Sequence, residues 1–172
     1  MIVREGTLNI LEMAVKMEKD SIKFYNEAAE KIKYPIGKKM FLTVADDEKR
    51  HLEMVSKIIK RLNIKPKDVS PLKNVKSLFE NMKGEMMHKV EVSVDELEAF
   101  KVAMHMEQEG AEFYKNALDK TTKKKEKALL ERLIQEEQEH YQILSNTYYY
   151  LSSTQSWFLW EERDMIDGGG MP

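Results

Sequence analysis

Ionisable residues interrupt four apolar patterns in this 172-residue chain. In each pattern, apolar residues recur at alternating spacings of three and four, which is typical of a helix face that packs inside a bundle. The interrupting residues are Glu18, Glu48, His51, Glu107, Glu137 and His140. In two of the patterns a Glu precedes a His by three residues, so both side chains share one helix face. A buried, isolated carboxylate costs several kcal/mol, so these positions predict a specific site.

Bound metal ions would compensate the buried charge. Four glutamates supply four negative charges, which two divalent cations neutralise, and two histidines supply neutral nitrogen ligands. No Lys or Arg occurs in the apolar patterns at the same levels. One Glu from each of two helices and Glu-x-x-His from each of the other two form the ligand set of a dinuclear carboxylate centre. We therefore predict all six residues as ligands of two metal ions. The alternative is hydrogen bonding between helices without metal.

The elements that must position these residues are four long helices. The patterns run over 8–32, 41–62, 97–118 and 130–151, each long enough for about 25 residues of helix. Pro35 and Gly37 are predicted to separate the first helix from the second. Ser93 and Glu96 form a capping box that opens the third. The sequence thus predicts an all-α protein.

An internal repeat relates the two halves of the chain. Shifting residues 14–28 by 89 positions aligns them with 103–117, with identical Ala, Met, Glu, Phe and Tyr positions. The same shift places Glu48 on Glu137 and His51 on His140. The chain is therefore interpreted as two copies of a helical hairpin related by a pseudo-twofold axis.

The predicted domain organisation follows from this repeat. Residues 1–152 are expected to form a four-helix bundle whose hairpins span 8–62 and 97–151. Residues 63–92 are long enough for a crossover between the second and third helices. Residues 153–172 are expected to form a short helical aromatic segment and a tail. Its residues Trp157–Trp160 are expected to pack on the bundle or a second subunit, or to dock a redox partner.

Composition excludes several classes of function. Lys plus Arg number 28 and Asp plus Glu number 30, a net charge of −2 that predicts no nucleic-acid or anionic-membrane partner. Cys is absent, so neither a disulfide scaffold nor a thiolate-ligated metal centre can form. No leader peptide and no apolar run long enough to span a membrane are evident. A cytoplasmic location is expected.

For two pairs of polar residues near the predicted ligands, the sequence allows two roles each. Tyr25 and Tyr114 follow Glu18 and Glu107 by seven residues, and they either hydrogen-bond a ligand carboxylate or pack in the core. The acidic residues directly before the two Glu-x-x-His pairs, at positions 47 and 136, are either solvated or orient the histidine of the opposite helix.

Other candidate ligands are expected to lie outside the site. Glu85 and His88 match the Glu-x-x-His spacing but have no repeat partner, and they are interpreted as a solvated pair. His105 stands on a helix flank and is expected at the surface. The twelve methionines are expected to fill core gaps, because thioethers are too soft for iron in an oxygen-rich site.

The segments DDEKRHLEMV and QEEQEHYQIL resemble the second and fourth helices of the rubrerythrin-like branch of the ferritin-like superfamily. The resemblance covers residues 8–151. It implies a four-helix bundle with a long crossover that houses two irons. It also implies terminal carboxylate ligands at Glu18 and Glu107. The bridging carboxylates would be Glu48 and Glu137, and the terminal nitrogen ligands His51 and His140.

The chain departs from relatives in this superfamily at three points. Typical rubrerythrins carry a further Glu one turn before the third-helix ligand, where this chain has Met104. They also end in a Cys-rich electron-transfer domain, which these residues lack. Bacterioferritin places a haem-binding Met directly after the second-helix Glu, where this chain has Lys49, so haem is not expected.

The predicted function is that of a non-haem dinuclear-iron oxidoreductase acting in oxidative stress. Peroxide or O₂ would be the substrate, and the four glutamates would hold the metals, absorb charge changes and relay protons. Mn or Zn could replace Fe in the same donor set. An external donor such as a rubredoxin would supply electrons, and a homodimer is expected. The alternatives are ferrous-iron oxidation for storage, and a metal-stabilised interaction module without turnover.

Overall fold

Four helices build the described part of the protein. The computed structural model describes the backbone of residues 2–60, 71 and 94–152, and the side chains of 11–60, 71 and 95–152. The helices are α1 (Ile2–Lys31), α2 (Pro35–Ile59), α3 (Val94–Lys120) and α4 (Lys124–Ser152). No strand occurs among these residues. The prediction of an all-α bundle is confirmed, whereas the crossover and the C-terminal segment lie outside the described residues.

The helices pair as two hairpins. The most extensive contacts join α1 to α2 and α3 to α4, and smaller contacts join α1 to α3 and α2 to α4. The short turns at 32–34 and 121–123 explain this pairing, because a connection of a few residues makes consecutive helices antiparallel neighbours.

The break between α1 and α2 differs from its prediction at one residue. Pro35 is the first residue of α2, where its missing N–H and fixed φ suit a helix start. Gly37 lies inside α2 and does not end a helix. A β-carbon at Gly37 would lie 2.5 Å from Cδ1 of Ile32, so glycine there permits the close approach of the two helix ends.

Two apolar clusters fill the bundle on either side of its middle. One cluster contains Tyr25, Ile36, Met40, Phe41, Val44, Phe100 and Leu144, among others. The other contains Leu11, Val55, Tyr114, Leu130 and Leu133, among others. Along α2 and α4 the Glu-x-x-His pairs fall between residues of the two clusters. The fold therefore places the six predicted ligands in the middle of the bundle, with apolar packing above and below them.

None of the four described helices contains an apolar stretch of the length that a membrane span requires.

Candidate metal centre

All six predicted ligands meet at one place in the bundle. α1 contributes Glu18, α3 contributes Glu107, and α2 and α4 contribute one Glu-x-x-His pair each. Every one of the six residues is at most 3 % exposed. Each of the four helices thus brings at least one ionisable side chain into the interior, as the interrupted apolar patterns indicate.

The six side chains form two overlapping groups of four. One group consists of Glu18, Glu48, His51 and Glu137, and the other consists of Glu48, Glu107, Glu137 and His140. Within each group, one ligand atom from every residue lies within 4.8 Å of the others. Glu48 and Glu137 belong to both groups, which is the arrangement that a carboxylate bridge between two ions requires.

Both histidines point the same ring nitrogen at the centre. Nδ1 of His51 lies 3.1 Å from Oε2 of Glu48 and 3.2 Å from Oε1 of Glu137. Nδ1 of His140 lies 3.3 Å from Oε1 of Glu48 and 3.3 Å from Oε2 of Glu107. The two oxygens of Glu48 are therefore divided between the two histidines, one oxygen for each ring.

The outer nitrogen of each histidine contacts an acidic residue from the opposite hairpin. Nε2 of His51 lies 2.9 Å from Oε2 of Glu136, and Nε2 of His140 lies 3.4 Å from Oδ2 of Asp47. Of the two roles left open by the sequence for these acidic residues, the structure shows the orienting one. A carboxylate at Nε2 favours the tautomer with its proton on Nε2, and Nδ1 is then free to bind a metal ion.

Two arginines, which the apolar pattern does not reveal, support these outer carboxylates. Nη2 of Arg50 lies 2.7 Å from Oδ1 of Asp47 and 2.5 Å from Oε2 of Glu136. Nε of Arg132 lies 2.8 Å from Oε1 of Glu136. Both arginines lie beside the apolar faces, so a search restricted to those faces misses them. The signal that could have found them is their helical spacing, three residues after Asp47 and four before Glu136.

Two buried tyrosines hold the terminal glutamates. The hydroxyl of Tyr25 donates a hydrogen bond to Oε1 of Glu107, and the hydroxyl of Tyr114 donates one to Oε1 of Glu18. The second oxygen of each glutamate faces a histidine, with Oε2 of Glu18 3.9 Å from Nδ1 of His51. Of the two roles that the sequence left open for the tyrosines, the structure shows hydrogen bonding to a candidate ligand.

The chain matches the family model described as Rubrerythrin over residues 9–148. The chain belongs to the rubrerythrin family. A hypothetical protein from Pyrococcus furiosus has a similar structure, with a TM-score of 0.65 and 25 % sequence identity. That similarity covers 85 % of this chain and 90 % of the other. Among curated proteins, none matches the chain.

Family membership confirms the resemblance drawn from the two Glu-x-x-His segments, and with it the ferritin-like class of the helical bundle. Rubrerythrins bind metal, and the buried Glu and His groups of this rubrerythrin-family chain could hold metal ions.

Protons and charges are distributed unevenly within the rubrerythrin-family centre. Burial raises the pKa of Glu18 and Glu137 well above the ordinary value, and the charge of Glu48 raises both further. Burial also opposes ionisation of Glu48, but the charges and hydrogen bonds of His51 and His140 outweigh it and hold the pKa of Glu48 well below its usual range. The pKa shifts therefore favour the ionised form of Glu48 and the protonated forms of Glu18 and Glu137.

The histidines are held in their protonated form when metal is absent. Burial lowers the pKa of His51, but Glu48, Glu136 and Glu137 outweigh burial and raise it well above the ordinary value. The pKa of His140 is raised in the same way, chiefly by the charge of Glu107. Two imidazolium groups thus neutralise part of the carboxylate charge that metal ions would otherwise neutralise.

One buried oxygen is left without a hydrogen-bond partner among the described residues. Oε1 of Glu137 lies 3.2 Å from Nδ1 of His51 but makes no hydrogen bond of ordinary geometry. A buried acceptor without a partner is costly unless another group, such as a cation, satisfies it. Carboxylate oxygens and imidazole nitrogens suit Fe, Mn and Zn. The residues present therefore fit a pair of divalent metal ions.

Other residues considered as ligands do not enter the centre. The imidazole of His105 is 70 % exposed and lies 3.4 Å from Oε1 of Glu109 on the helix surface. Met104 is partly buried and packs against an apolar cluster, and the exposed ammonium of Lys49 donates to Asp46. Glu85, His88 and Trp157–Trp160 lie outside the described residues.

Proposed function

We propose that this rubrerythrin-family protein is a non-haem dinuclear-iron oxidoreductase that reduces hydrogen peroxide to water. The observation that carries the proposal is the pair of four-residue groups that share Glu48 and Glu137 in a buried centre. In this assignment the two shared glutamates would be ligands to both ions. Glu18 and His51 would be the remaining ligands of one ion. The repeat-related Glu and His, from α3 and α4, would be the remaining ligands of the other.

Reduction of peroxide needs a source of two electrons at a site that is shielded from bulk water. When bound, two ferrous ions supply the two electrons that break the O–O bond of peroxide, which with two protons gives two molecules of water. Among the described residues, apolar clusters lie on both sides of the centre along the bundle. These clusters exclude bulk water, which favours a reaction without release of reactive fragments.

The tyrosines keep the terminal carboxylates in place. Burial, together with the neighbouring carboxylates, raises the pKa of Tyr25 and Tyr114 well above the ordinary value. Both hydroxyls therefore remain protonated and continue to donate to Glu107 and Glu18. Because each hydroxyl occupies Oε1, Oε2 of the same glutamate remains directed at the centre.

The outer carboxylates keep the histidines in a binding orientation. The outer contacts of His51 and His140 fix the rotation of each ring, and Arg50 ties the two outer carboxylates to each other. Partners of this kind orient metal-binding histidines and strengthen them as ligands. The charge of the arginine also balances the carboxylates that lie outside the metal groups.

Electrons are proposed to come from a separate protein such as a rubredoxin. The sequence contains no Cys and so cannot itself form a thiolate-ligated redox centre. A homodimer in the cytoplasm remains our expectation for the assembly and its location, with no nucleic acid or membrane as partner.

Anaerobic loading with ferrous iron followed by titration with hydrogen peroxide tests the proposal. We expect stoichiometric oxidation of the bound iron, and repeated turnover when reduced rubredoxin is added. The Glu48→Ala variant should lose the reaction, whereas Glu109→Ala, which alters an exposed glutamate on α3, should retain it. Oxidation no faster than that of free iron in the same buffer would contradict the proposal. Iron that accumulates as a mineral in a large shell of subunits would instead favour storage.

A further inference from the structure

Gly110 lies inside α3, three residues after Glu107. Glycine is unfavourable inside a helix, because it loses the most backbone freedom on folding. Only Pro is less favourable there. Gly110 is also buried, and its backbone is not in the left-handed region that would by itself require glycine. A packing reason for the missing side chain is therefore expected.

The carboxylate of Glu137 occupies the space that a side chain at position 110 would need. A β-carbon there would lie 3.2 Å from Oε2, 3.3 Å from Cδ and 3.7 Å from Cγ of Glu137. The first two distances are closer than ordinary van der Waals contact, and all three nearest atoms belong to this one residue. Any side chain at position 110 must therefore displace Glu137 or move α3 away from α4.

Glu137 has little freedom to withdraw. Its Oε1 lies 3.2 Å from Nδ1 of His51, and its Oε2 lies 4.0 Å from Nδ1 of His140. A displacement away from α3 would change both distances. Because Glu137 belongs to both four-residue groups, such a displacement alters both groups.

The repeat shows that the missing side chain is specific to one half of the chain. The shift of 89 residues places Gly110 on Ser21 and Glu137 on Glu48. The first hairpin therefore has a side chain at the position where the second hairpin has none. The two shared glutamates are equivalent in the repeat, but the aligned position on the preceding helix is Ser in the first hairpin and Gly in the second.

We propose that Gly110 is a positioning residue for Glu137. Its missing side chain lets the shared carboxylate lie against α3, between the two histidines, and so sets the geometry of both metal groups. The consequence for metal binding rests on the proposed dinuclear centre, whereas the packing of Gly110 against Glu137 does not.

Metal titration of Gly110→Ala tests the consequence for the centre. We expect the weaker of two Co²⁺ ions to bind at least tenfold less tightly than in the wild type, with a changed Co²⁺ absorption spectrum. Ser21→Ala, at the repeat-related position, should bind Co²⁺ as the wild type does. Wild-type affinity and an unchanged spectrum in Gly110→Ala would overturn the proposal.

A double-mutant cycle on the metal-free protein tests the contact itself. In a Glu137→Ala background the carboxylate is gone, so Gly110→Ala should raise the melting temperature by about 2–4 °C through helix propensity alone. In the wild-type background the same substitution should give a smaller rise or a fall. An equal effect in both backgrounds would overturn the proposal, even if the wild type binds no metal and the proposed function fails. A Gly110→Ala variant that is unstable only when Glu137 is present would support it.

Discussion

His51 and Glu136 meet across the two halves of the bundle. They stand 85 residues apart in the chain, yet Nε2 of His51 lies 2.9 Å from Oε2 of Glu136. Burial opposes ionisation of Glu136, but the hydrogen bonds and charges of His51 and Arg50 outweigh it and lower the pKa of Glu136 to about 2. Glu136 is therefore a fixed negative charge behind a candidate metal ligand.

Removal of that charge should weaken metal binding. In Glu136→Gln the side chain keeps its size, but it no longer polarises the imidazole or neutralises Arg50 and Arg132. We expect a loss of about 10–100-fold in metal affinity, measured by competition with a chelator of known affinity. Glu131→Gln, an exposed residue of the same helix, is the control. Equal affinities in the two variants would show that Glu136 does not act on the site.

The tyrosine hydroxyls should contribute to stability even without metal. Tyr25→Phe leaves Oε1 of the buried Glu107 without its hydrogen-bond donor. A buried acceptor left without its hydrogen-bond donor costs about 1–3 kcal/mol. We expect a decrease of that size in the free energy of unfolding, measured by urea denaturation of the metal-free protein.

Tyr114→Phe should behave in the same way, because Tyr114 makes the repeat-related bond to Glu18. Tyr149→Phe alters a side chain that is 58 % exposed and should change the free energy of unfolding little. If the two buried variants are as stable as Tyr149→Phe, the tyrosines act only as apolar packing.

The burial and the proximity of the two shared glutamates could be predicted from the sequence. Glu48 and Glu137 interrupt apolar patterns, so their burial follows from helix periodicity alone, and the 89-residue shift pairs them. The structure brings them together as that pattern indicates. That they bind metal stays a prediction.

The surrounding contacts were harder to predict. Asp47 and Glu136 are neighbours of the shared glutamates in sequence, but a helix alone does not say whether a flanking acid meets solvent or another helix. Arg50 reaches Glu136 only because the hairpins pack with a particular register. Gly110 has no side chain that could indicate a role. Its packing against Glu137 can be recognised only when the position of Glu137 is known.

The stability of the metal-free protein should fall as the pH rises from about 6.5 to about 8. His51 and His140 have raised pKa values in the fold, so the stability they contribute is complete below about pH 6.5 and is lost as the pH rises through the folded values. Glu18 and Glu137, also with raised pKa values, act in the same direction. Thermal unfolding at several pH values checks this.

Bound metal should stabilise the protein more at high pH than at low pH. Binding requires neutral imidazole and ionised carboxylate, so metal displaces protons and its affinity increases with pH. The difference in melting temperature between loaded and metal-free protein should therefore widen from about pH 6 to about pH 8. A difference that stays constant would mean that metal binds away from these residues.

The two shared glutamates should be equally necessary. Glu48→Ala and Glu137→Ala each remove a candidate ligand from both groups. Each should abolish binding of at least one ion, or weaken binding by more than the roughly 10–100-fold expected for loss of an outer partner. Glu85→Ala and His88→Ala, the Glu-x-x-His pair without a repeat partner, should retain wild-type binding. Metal stoichiometry by equilibrium dialysis distinguishes the variants. Dependence on Glu85 and His88 instead would place the site elsewhere.

Elemental analysis of protein purified without added metal tests the central claim most directly. The two groups that share Glu48 and Glu137 predict two metal ions per chain, with iron or manganese as the main element. Both ions should be lost in the Glu48→Ala, Glu137→Ala double variant, while the exposed-site variant Glu109→Ala keeps them. A chain that contains no metal, and takes up none from ferrous or manganous solution, would contradict the account.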